Sequence, residues 1–400
     1  MSLALEIYRS VPRYLAARAV SSRAPGLVAG PLAPIRLVNR KDPEPSRPGW
    51  ARVRTRMSGI CGSDLATISG KSSFYFSPLV SLPFVPGHEV VGELVDDADG
   101  LPAGTRVVLS PVLGCEARGL DPCPSCAAGL TGRCDRITLG HVSPGLQTGY
   151  CKDTGGGWGR IFMAHRSQLH AIPDAMSDAK AVLVEPLACA VHTTLRAHVQ
   201  PDADVLVVGA GTVGILTLLA LRELTRAGRV TVVAKHPQQR DLAHGFGATE
   251  VVEPEKAANA VRRASSALKL KPERGAPFLL GGVDVAIDCV GSKGSLDLAL
   301  RAMRAGGRVV LSGIPTGGVD LTPVWFRELE VAGAYTGSVE ELDGDRRSTF
   351  DIALALAADS PIEGVVGAVY PLSEWREALD HALAAGRLGT LKVAFDPREG

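Results

Sequence analysis

The run Val205-Leu206-Val207-Val208 passes without a break into Gly209-Ala210-Gly211-Thr212-Val213-Gly214, and the residues that follow, 215–225, are helix-forming. A short and wholly apolar run is the mark of a strand buried on both faces. Strand, glycine turn and helix in that order are also the context in which G-x-G-x-x-G spacing reads as a dinucleotide fingerprint. Gly209, Gly211 and Gly214 permit a tight turn and a close approach of a pyrophosphate to the helix that opens with Thr212 and Val213. Further strand-like runs at 229–234, 283–289 and 308–312 alternate with helix-forming stretches such as 295–305. That alternation predicts a parallel sheet covered by helices on both faces.

The second of these strands ends in Ala234-Lys235-His236-Pro237, twenty residues past Gly214. An aspartate or glutamate here would bind the adenosine ribose hydroxyls. The chain instead offers Ala234 and three possible cations, Lys235, His236 and Arg240. Cations attract a ribose 2′-phosphate that a carboxylate would repel, so NADP is expected over NAD. The plain alternative is a solvated basic loop.

A second concentration of chemistry lies upstream, in Gly59-Ile60-Cys61-Gly62-Ser63-Asp64 and Gly87-His88-Glu89-Val90-Val91-Gly92. Cys61, His88 and Glu89 make a mixed sulfur, nitrogen and oxygen ligand set of the kind zinc accepts. The Ser63 hydroxyl is placed to relay a proton, and the Asp64 carboxylate to accept a hydrogen bond from the histidine nitrogen a metal leaves free. Singly, each residue reads as an ordinary core or surface position. Cys115, Cys123, Cys126 and Cys134 then follow within twenty residues, amid glycine and proline. Sulfur-only ligands at tetrahedral distance suit a closed structural zinc site that braces a lobe and leaves no position open for reaction. Glu185, just ahead of Pro186, is either a carboxylate at a helix N-terminus or a further, exchangeable metal ligand.

Length and composition bound the rest. Four hundred residues call for two or three domains, and 46% apolar residues can bury large cores. A formal charge of +1 sets up no global field toward nucleic acid or an anionic membrane, leaving a small molecule as the expected partner. The longest uncharged apolar run, Val205 to Leu221, is short for a membrane span and carries three glycines. Eight cysteines in a chain this long do not make a disulfide scaffold, and the thiolates of the two ligand sets need reducing conditions, which points to the cytoplasm. Residues 1–58 suggest β-hairpins rather than helices, with 20–34 a loop insertion and Pro12 and Pro25 interrupting any long helix. Four arginines before residue 24 give a faint hint of a transit peptide. Phe74, Tyr75 and Phe76 form an aromatic cluster fit either to line a pocket or to pack under a loop. Helices are expected around 350–359 and 373–385, and a final strand at 391–395.

With these residues in view, the chain resembles the zinc-containing medium-chain alcohol and polyol dehydrogenases, over nearly its whole length from about Arg36. The carriers of the likeness are Gly59 to Asp64, Pro86-Gly87-His88-Glu89, the cysteine lobe, Glu185-Pro186 and Gly209 to Gly214, in the family's order. The pairing of Glu89 with Glu185 looks more like the sorbitol, glucose and threonine dehydrogenase branch. The resemblance implies an α/β chain: a GroES-like β-rich catalytic domain over 1–188 and 336–400, and a Rossmann doubly wound cofactor domain over 189–335. It implies a catalytic zinc on Cys61, His88 and Glu89 or Glu185, a second structural zinc, and a homodimer or homotetramer. The implied reaction is hydride transfer between a secondary alcohol, polyol or sugar-like substrate and NADP or NAD, with Ser63 carrying the proton. The rivals are an NADPH-dependent biosynthetic reductase of an aldehyde, ketone or iminium, and a cofactor-sensing protein without catalysis. Three departures stand out. Leu120 replaces the lobe's first cysteine, with Cys115 five residues earlier. Ala66 replaces a histidine that in several relatives passes the proton to solvent. The N-terminal insertion has no assignable counterpart.

Overall fold

In the computed structural model, which describes residues 1–21, 23–45 and 47–399, Val205–Val208 lies inside a six-stranded parallel sheet. Its order is Glu250–Val252, Val230–Val233, Val205–Val208, Val283–Asp288, Met303–Leu311 and Glu330–Gly333. Counted along the chain this is 3-2-1-4-5-6, a doubly wound sheet whose order reverses at Val205–Val208. All four residues of that strand are buried. Both faces of a central parallel strand are covered, so no polar alternation appears in its sequence.

The chain divides into two compact units, Met1–Glu185 with Gly344–Gly400, and Pro186–Asp343. The sequence reading drew the divisions after 188 and after 335. The first division falls inside helix Val184–Arg196, where no change of composition marks it.

The hub of the β-rich unit is Trp50–Gly59, a ten-residue strand. Val90–Leu94 pairs with it antiparallel along one side, and Ile161–His165 and then Lys392–Asp396 along the other. Arg106–Leu109 and Leu169–Ala171 extend the sheet beyond Val90–Leu94, and Val366–Pro371 runs parallel to Lys392–Asp396. The last strand of the chain therefore lies beside Ser58 and Gly59, just before Cys61.

The N-terminal expectation needs correction. Ser2–Ile7 does pair antiparallel with Ile35–Arg40, but the connection holds a ten-residue helix, Val11–Val20, and a short one, Pro25–Val28. Each has its proline in the first turn, where the missing N–H has no intrahelical partner to lose. The apolar pattern misled because the long side chains face outward: Val11 and Leu15 are exposed while Ala17 is buried. Ala17, Val28, Ala29 and Ala33 join a core with Leu5, Ile60, Trp158 and Phe395, so the stretch expected to be a loop insertion contributes packed residues to that core. Of the aromatic cluster, Phe74 and Tyr75 are exposed, with Phe74 against the ring of Tyr14 at 5.7 Å.

Candidate active site

Cys61 is the N-cap of helix Gly62–Ile68. Asp64 turns its carboxylate back to accept the Cys61 N–H at 3.0 Å, satisfying a donor that the helix start leaves free. His88 and Glu89 immediately precede Val90–Leu94, whose pairing of Val90 with Ser58 carries them to the end of the hub strand. One ligand atom from each of Cys61, His88 and Glu89 lies within 4.8 Å of the other two. A Cβ on Gly59 would stand 2.1 Å from Glu89 Oε2, so a side chain there would displace the Glu89 carboxylate from its place in the site. Glu185 is buried at the start of helix Val184–Arg196, outside that trio, and its charge reaches His88 and Lys392.

Behind His88, its Nδ1 faces Asp64 Oδ1 at 3.6 Å with both side chains buried. Burial opposes charging of His88, but the charges of Asp64 and Cys61 outweigh it and hold the imidazole pKa well above the usual histidine value. Burial likewise pushes Asp64 up. The negative groups around one imidazole are in excess, which is a setting for a cation. His88 Nδ1 and Ser63 Oγ are also buried without hydrogen-bond partners. A zinc ion fits such a donor set, the thiolate and imidazole binding directly and Asp64 orienting the ring.

Two participants escaped the sequence reading. Lys392, in the final strand, donates to Glu89 Oε1 at 2.7 Å, to Glu89 Oε2 at 2.5 Å and to the Ile60 carbonyl at 3.3 Å. Its signal was present as a single lysine in the buried run Lys392–Asp396. Tyr150 packs its ring near His88, at 5.9 Å, and donates its hydroxyl to Asp64 Oδ1 at 3.3 Å. Nothing local in the sequence marks it.

The lobe cysteines converge as well: Cys115, Cys123, Cys126 and Cys134 offer sulfurs within 4.8 Å of one another. Leu120 packs against this cluster as an apolar neighbour. Backbone N–H groups of Cys126 and Asp135 point at the Cys123 sulfur and bring its thiol down to about 6, while burial pushes Cys126 and Cys134 up. Cys115 and Cys134 each accept a backbone N–H, from Cys123 at 3.3 Å and Arg136 at 3.4 Å. Such N–H donors stabilise thiolates, so this set too fits a zinc ion. Arg118, fully buried, donates to the carbonyls of Leu113, Leu139, Val142 and Gly145 and ties the lobe's loops together.

In the other unit, Gly209 adopts φ +101°, and a Cβ on Gly214 would lie 2.0 Å from the Gly209 carbonyl oxygen. Around Gly211, the N-cap of helix Thr212–Leu224, a Cβ would meet nothing within 4 Å. Open space at a helix N-terminus fits a pyrophosphate, with Thr212 and Val213 in the first turn. Ala234 is buried and Lys235 exposed. His236 is the N-cap of helix Pro237–Gly245, its N–H bonded to Gln239 Oε1 at 3.2 Å. Arg240 pairs with Glu253 at 3.3 Å, a partner the sequence reading overlooked, and Lys256 pairs with the same carboxylate at 2.8 Å.

Residues 47–174 match the family model of the alcohol dehydrogenase GroES-like domain, and residues 212–358 that of the zinc-binding dehydrogenases. L-idonate 5-dehydrogenase of Vitis vinifera is 30% identical over 292 residues, which cover 71% of this chain and 72% of that protein. Sorbitol dehydrogenase of Arabidopsis thaliana is 30% identical over 294 residues, 72% of this chain and 74% of its own. Among solved structures, a Sinorhizobium meliloti 1021 protein described as a zinc-binding dehydrogenase and bound to NADP superposes with a TM-score of 0.72 at 24% identity, covering 99% of this chain and 100% of its own. 2R,3R-butanediol dehydrogenase from Bacillus subtilis gives 0.71 at 20%, with the same coverage. At these identities the two structures speak for the fold alone. The architecture is the expected α/β one, a GroES-like β-rich unit and a doubly wound parallel sheet.

Proposed function

Because the chain belongs to the zinc-containing medium-chain alcohol and polyol dehydrogenases, we propose that it interconverts a secondary alcohol, polyol or sugar-like substrate and its carbonyl, using NADP in preference to NAD. The observation that carries the reading is the convergence of Cys61, His88 and Glu89 within 4.8 Å, with the unbonded Ser63 hydroxyl close by in sequence. Cys61, His88 and Glu89, with Glu185 as an exchangeable ligand, would hold a catalytic zinc. Cys115, Cys123, Cys126 and Cys134 would hold a structural one, giving two ions per chain.

When bound, zinc supplies Lewis acidity that lowers the pKa of a substrate hydroxyl, and the nicotinamide supplies the two-electron acceptor. The chain's own part is to position and to move a proton. Ser63 Oγ, with no bond to break, accepts the substrate proton. Asp64 faces His88 Nδ1 at 3.6 Å and would orient the ring on closer approach, while Lys392 neutralises Glu89. The space at Gly211 admits the pyrophosphate to the helix N-terminus. A panel of secondary alcohols, polyols, sugars and aldehydes with both cofactors, followed at the nicotinamide absorbance, tests this. No turnover of any member, in protein carrying zinc, would overturn it.

Support for NADP is the buried Ala234 beside exposed Lys235, with Arg240 in reserve. A hydrogen bond to a charged group is worth about 1.5–3 kcal/mol, and each 1.4 kcal/mol is about a factor of ten. Glu253 already engages Arg240, so the preference belongs near the lower end, about tenfold. Ala234→Asp with Lys235→Ala is expected to reverse the ratio of kcat/KM for the two cofactors. An unmodified protein preferring NAD by about tenfold would make the basic loop merely solvated.

For the lobe, Cys115→Ser is expected to lower the melting temperature and release one zinc, leaving turnover intact in the folded fraction. Unchanged metal content and stability would place the fourth ligand elsewhere. Eight free cysteines support a reducing, cytoplasmic setting. Exposed Trp325, Phe326 and Val331, the last on the outer strand Glu330–Gly333, support a homodimer or homotetramer, to be read by light scattering. No helix among the described residues is long and apolar enough to cross a membrane.

A further inference from the structure

The chain-wide charge of +1 conceals an uneven distribution. Residues 8–34 carry four arginines and no acid, and residues 65–86 carry one lysine and no acid. The fold brings these two stretches together. Tyr14, in helix Val11–Val20, donates its hydroxyl to the Ser72 carbonyl at 3.2 Å, and Arg18, one turn on, donates to the Gly70 carbonyl at 3.2 Å. The Phe74 ring lies 5.7 Å from that of Tyr14 and 5.8 Å from the Arg18 guanidinium carbon. A Cβ on Gly70, at φ +66°, would lie 2.8 Å from the Tyr14 carbonyl oxygen, so helix and loop meet in one continuous surface.

The centre of that surface is apolar. Val11 and Leu15 are one helical turn apart and share a face, and they are 58% and 54% exposed while Ala17 is turned inward. On the loop, Phe74 is 65% and Tyr75 79% exposed. Arg9, Arg18 and Lys71 are exposed around this centre, and Arg13, held to the Pro31 carbonyl at 2.6 Å, flanks it. The acids closest in sequence are engaged elsewhere: Glu6 is buried against Arg36 at 2.7 Å, and Asp64 is buried facing His88. Asp380 stands beside Gly26, on the second helix Pro25–Val28.

We propose that this surface docks the chain onto an anionic lipid membrane, which it lies on and does not span. A second copy is a poor occupant, because a two-fold interface would set Arg9, Arg18 and Lys71 against their own equivalents. Nucleic acid would answer the cations but give Val11 and Leu15 no apolar region to enter. A bilayer surface supplies both: phosphates for the cations, and the headgroup boundary for the aliphatic and aromatic side chains. Its attraction falls off within a Debye length, about 8 Å at physiological salt, so the local surface decides and the net charge does not.

The test floats the full, zinc-loaded chain with vesicles of phosphatidylcholine alone or mixed with phosphatidylglycerol, at low and at high salt. Binding is expected with the anionic vesicles at low salt, and about tenfold weaker binding with neutral vesicles or at high salt. Leu15→Glu removes an apolar anchor and adds repulsion, which should weaken binding about tenfold or more. Arg9→Ser with Lys71→Ser should weaken it about twentyfold, at about a factor of five per cation. Melting temperature and turnover should stay unchanged in both variants, since the side chains replaced are exposed. A wild type that ignores anionic vesicles, or variants that bind them as well as wild type, would overturn the proposal. Tighter binding to duplex DNA than to the vesicles would overturn it too. So would a wild-type mass in light scattering, without vesicles, that halves in Leu15→Glu, because the occupant would then be a second copy.

Discussion

A Lys392→Met variant is expected to lose about 3–5 kcal/mol of folding stability, the usual cost of removing one member of a buried ion pair. The ammonium and the Glu89 carboxylate leave only 4% and 2% of their side chains exposed, so no water can replace the lost partner. Deleting the lysine strands a carboxylate that accepts from it through both oxygens. It also leaves the Ile60 carbonyl without the ammonium it shares, although the Ile60 N–H keeps its bond to the Val393 carbonyl at 2.9 Å. Lys392→Met with Glu89→Gln removes both charges, and replacing a buried pair by neutral groups of similar volume is often nearly free. The double variant should therefore recover more than half of the loss. Chemical denaturation of the two single variants and the double one isolates the coupling, and a single-variant loss below about 1 kcal/mol would show that the pair does not anchor the strand. Activity should fall as well in Lys392→Met, because an uncompensated Glu89 changes the charge of the whole ligand set.

Fold and site were unequally legible. Local order announced the parallel sheet: Val205–Val208, its glycine turn and the next helix are contiguous, so one short window contained strand, turn and helix chemistry together. Helix Val11–Val20 was hidden because its burial runs through Ala17 while Val11 and Leu15 face solvent, reversing the hydrophobic signal that periodicity depends on. Cys61, His88 and Glu89 were visible as ligand types, since metal chemistry restricts which residues can stand there. Tyr150 and Lys392 were not, because each reaches the site by tertiary packing, Tyr150 86 residues from Asp64 and Lys392 303 from Glu89. The surroundings of the basic loop were hidden for a related reason. Lys235, His236 and Arg240 are possible cations in sequence, and Glu253, one strand onward, is brought to Arg240 by the parallel pairing of Glu250–Val252 with Val230–Val233.

Cys61→Ala is expected to reduce turnover by about 10³-fold or more while leaving the fold in place. Lewis-acid stabilisation is worth several kcal/mol of barrier, and each 1.4 kcal/mol is about a factor of ten in rate. Removing one of the three converging ligand atoms leaves His88 and Glu89, and Glu89 is already bound to Lys392, so the remaining set holds a dication poorly. Stability should change little. Cys61 is only partly buried, and the helix start rests on the backbone N–H of residue 61 bonded to Asp64 Oδ2 at 3.0 Å, which alanine preserves. Metal analysis of the purified variant should fall from two zinc ions to one, because the four lobe cysteines form a separate cluster with its own N–H donors. The contrast with Cys115→Ser makes the assignment sharp: one substitution should remove activity and spare the melting temperature, the other the reverse. A Cys61→Ala protein that kept both zinc ions and its turnover would require the reaction to be centred on other residues.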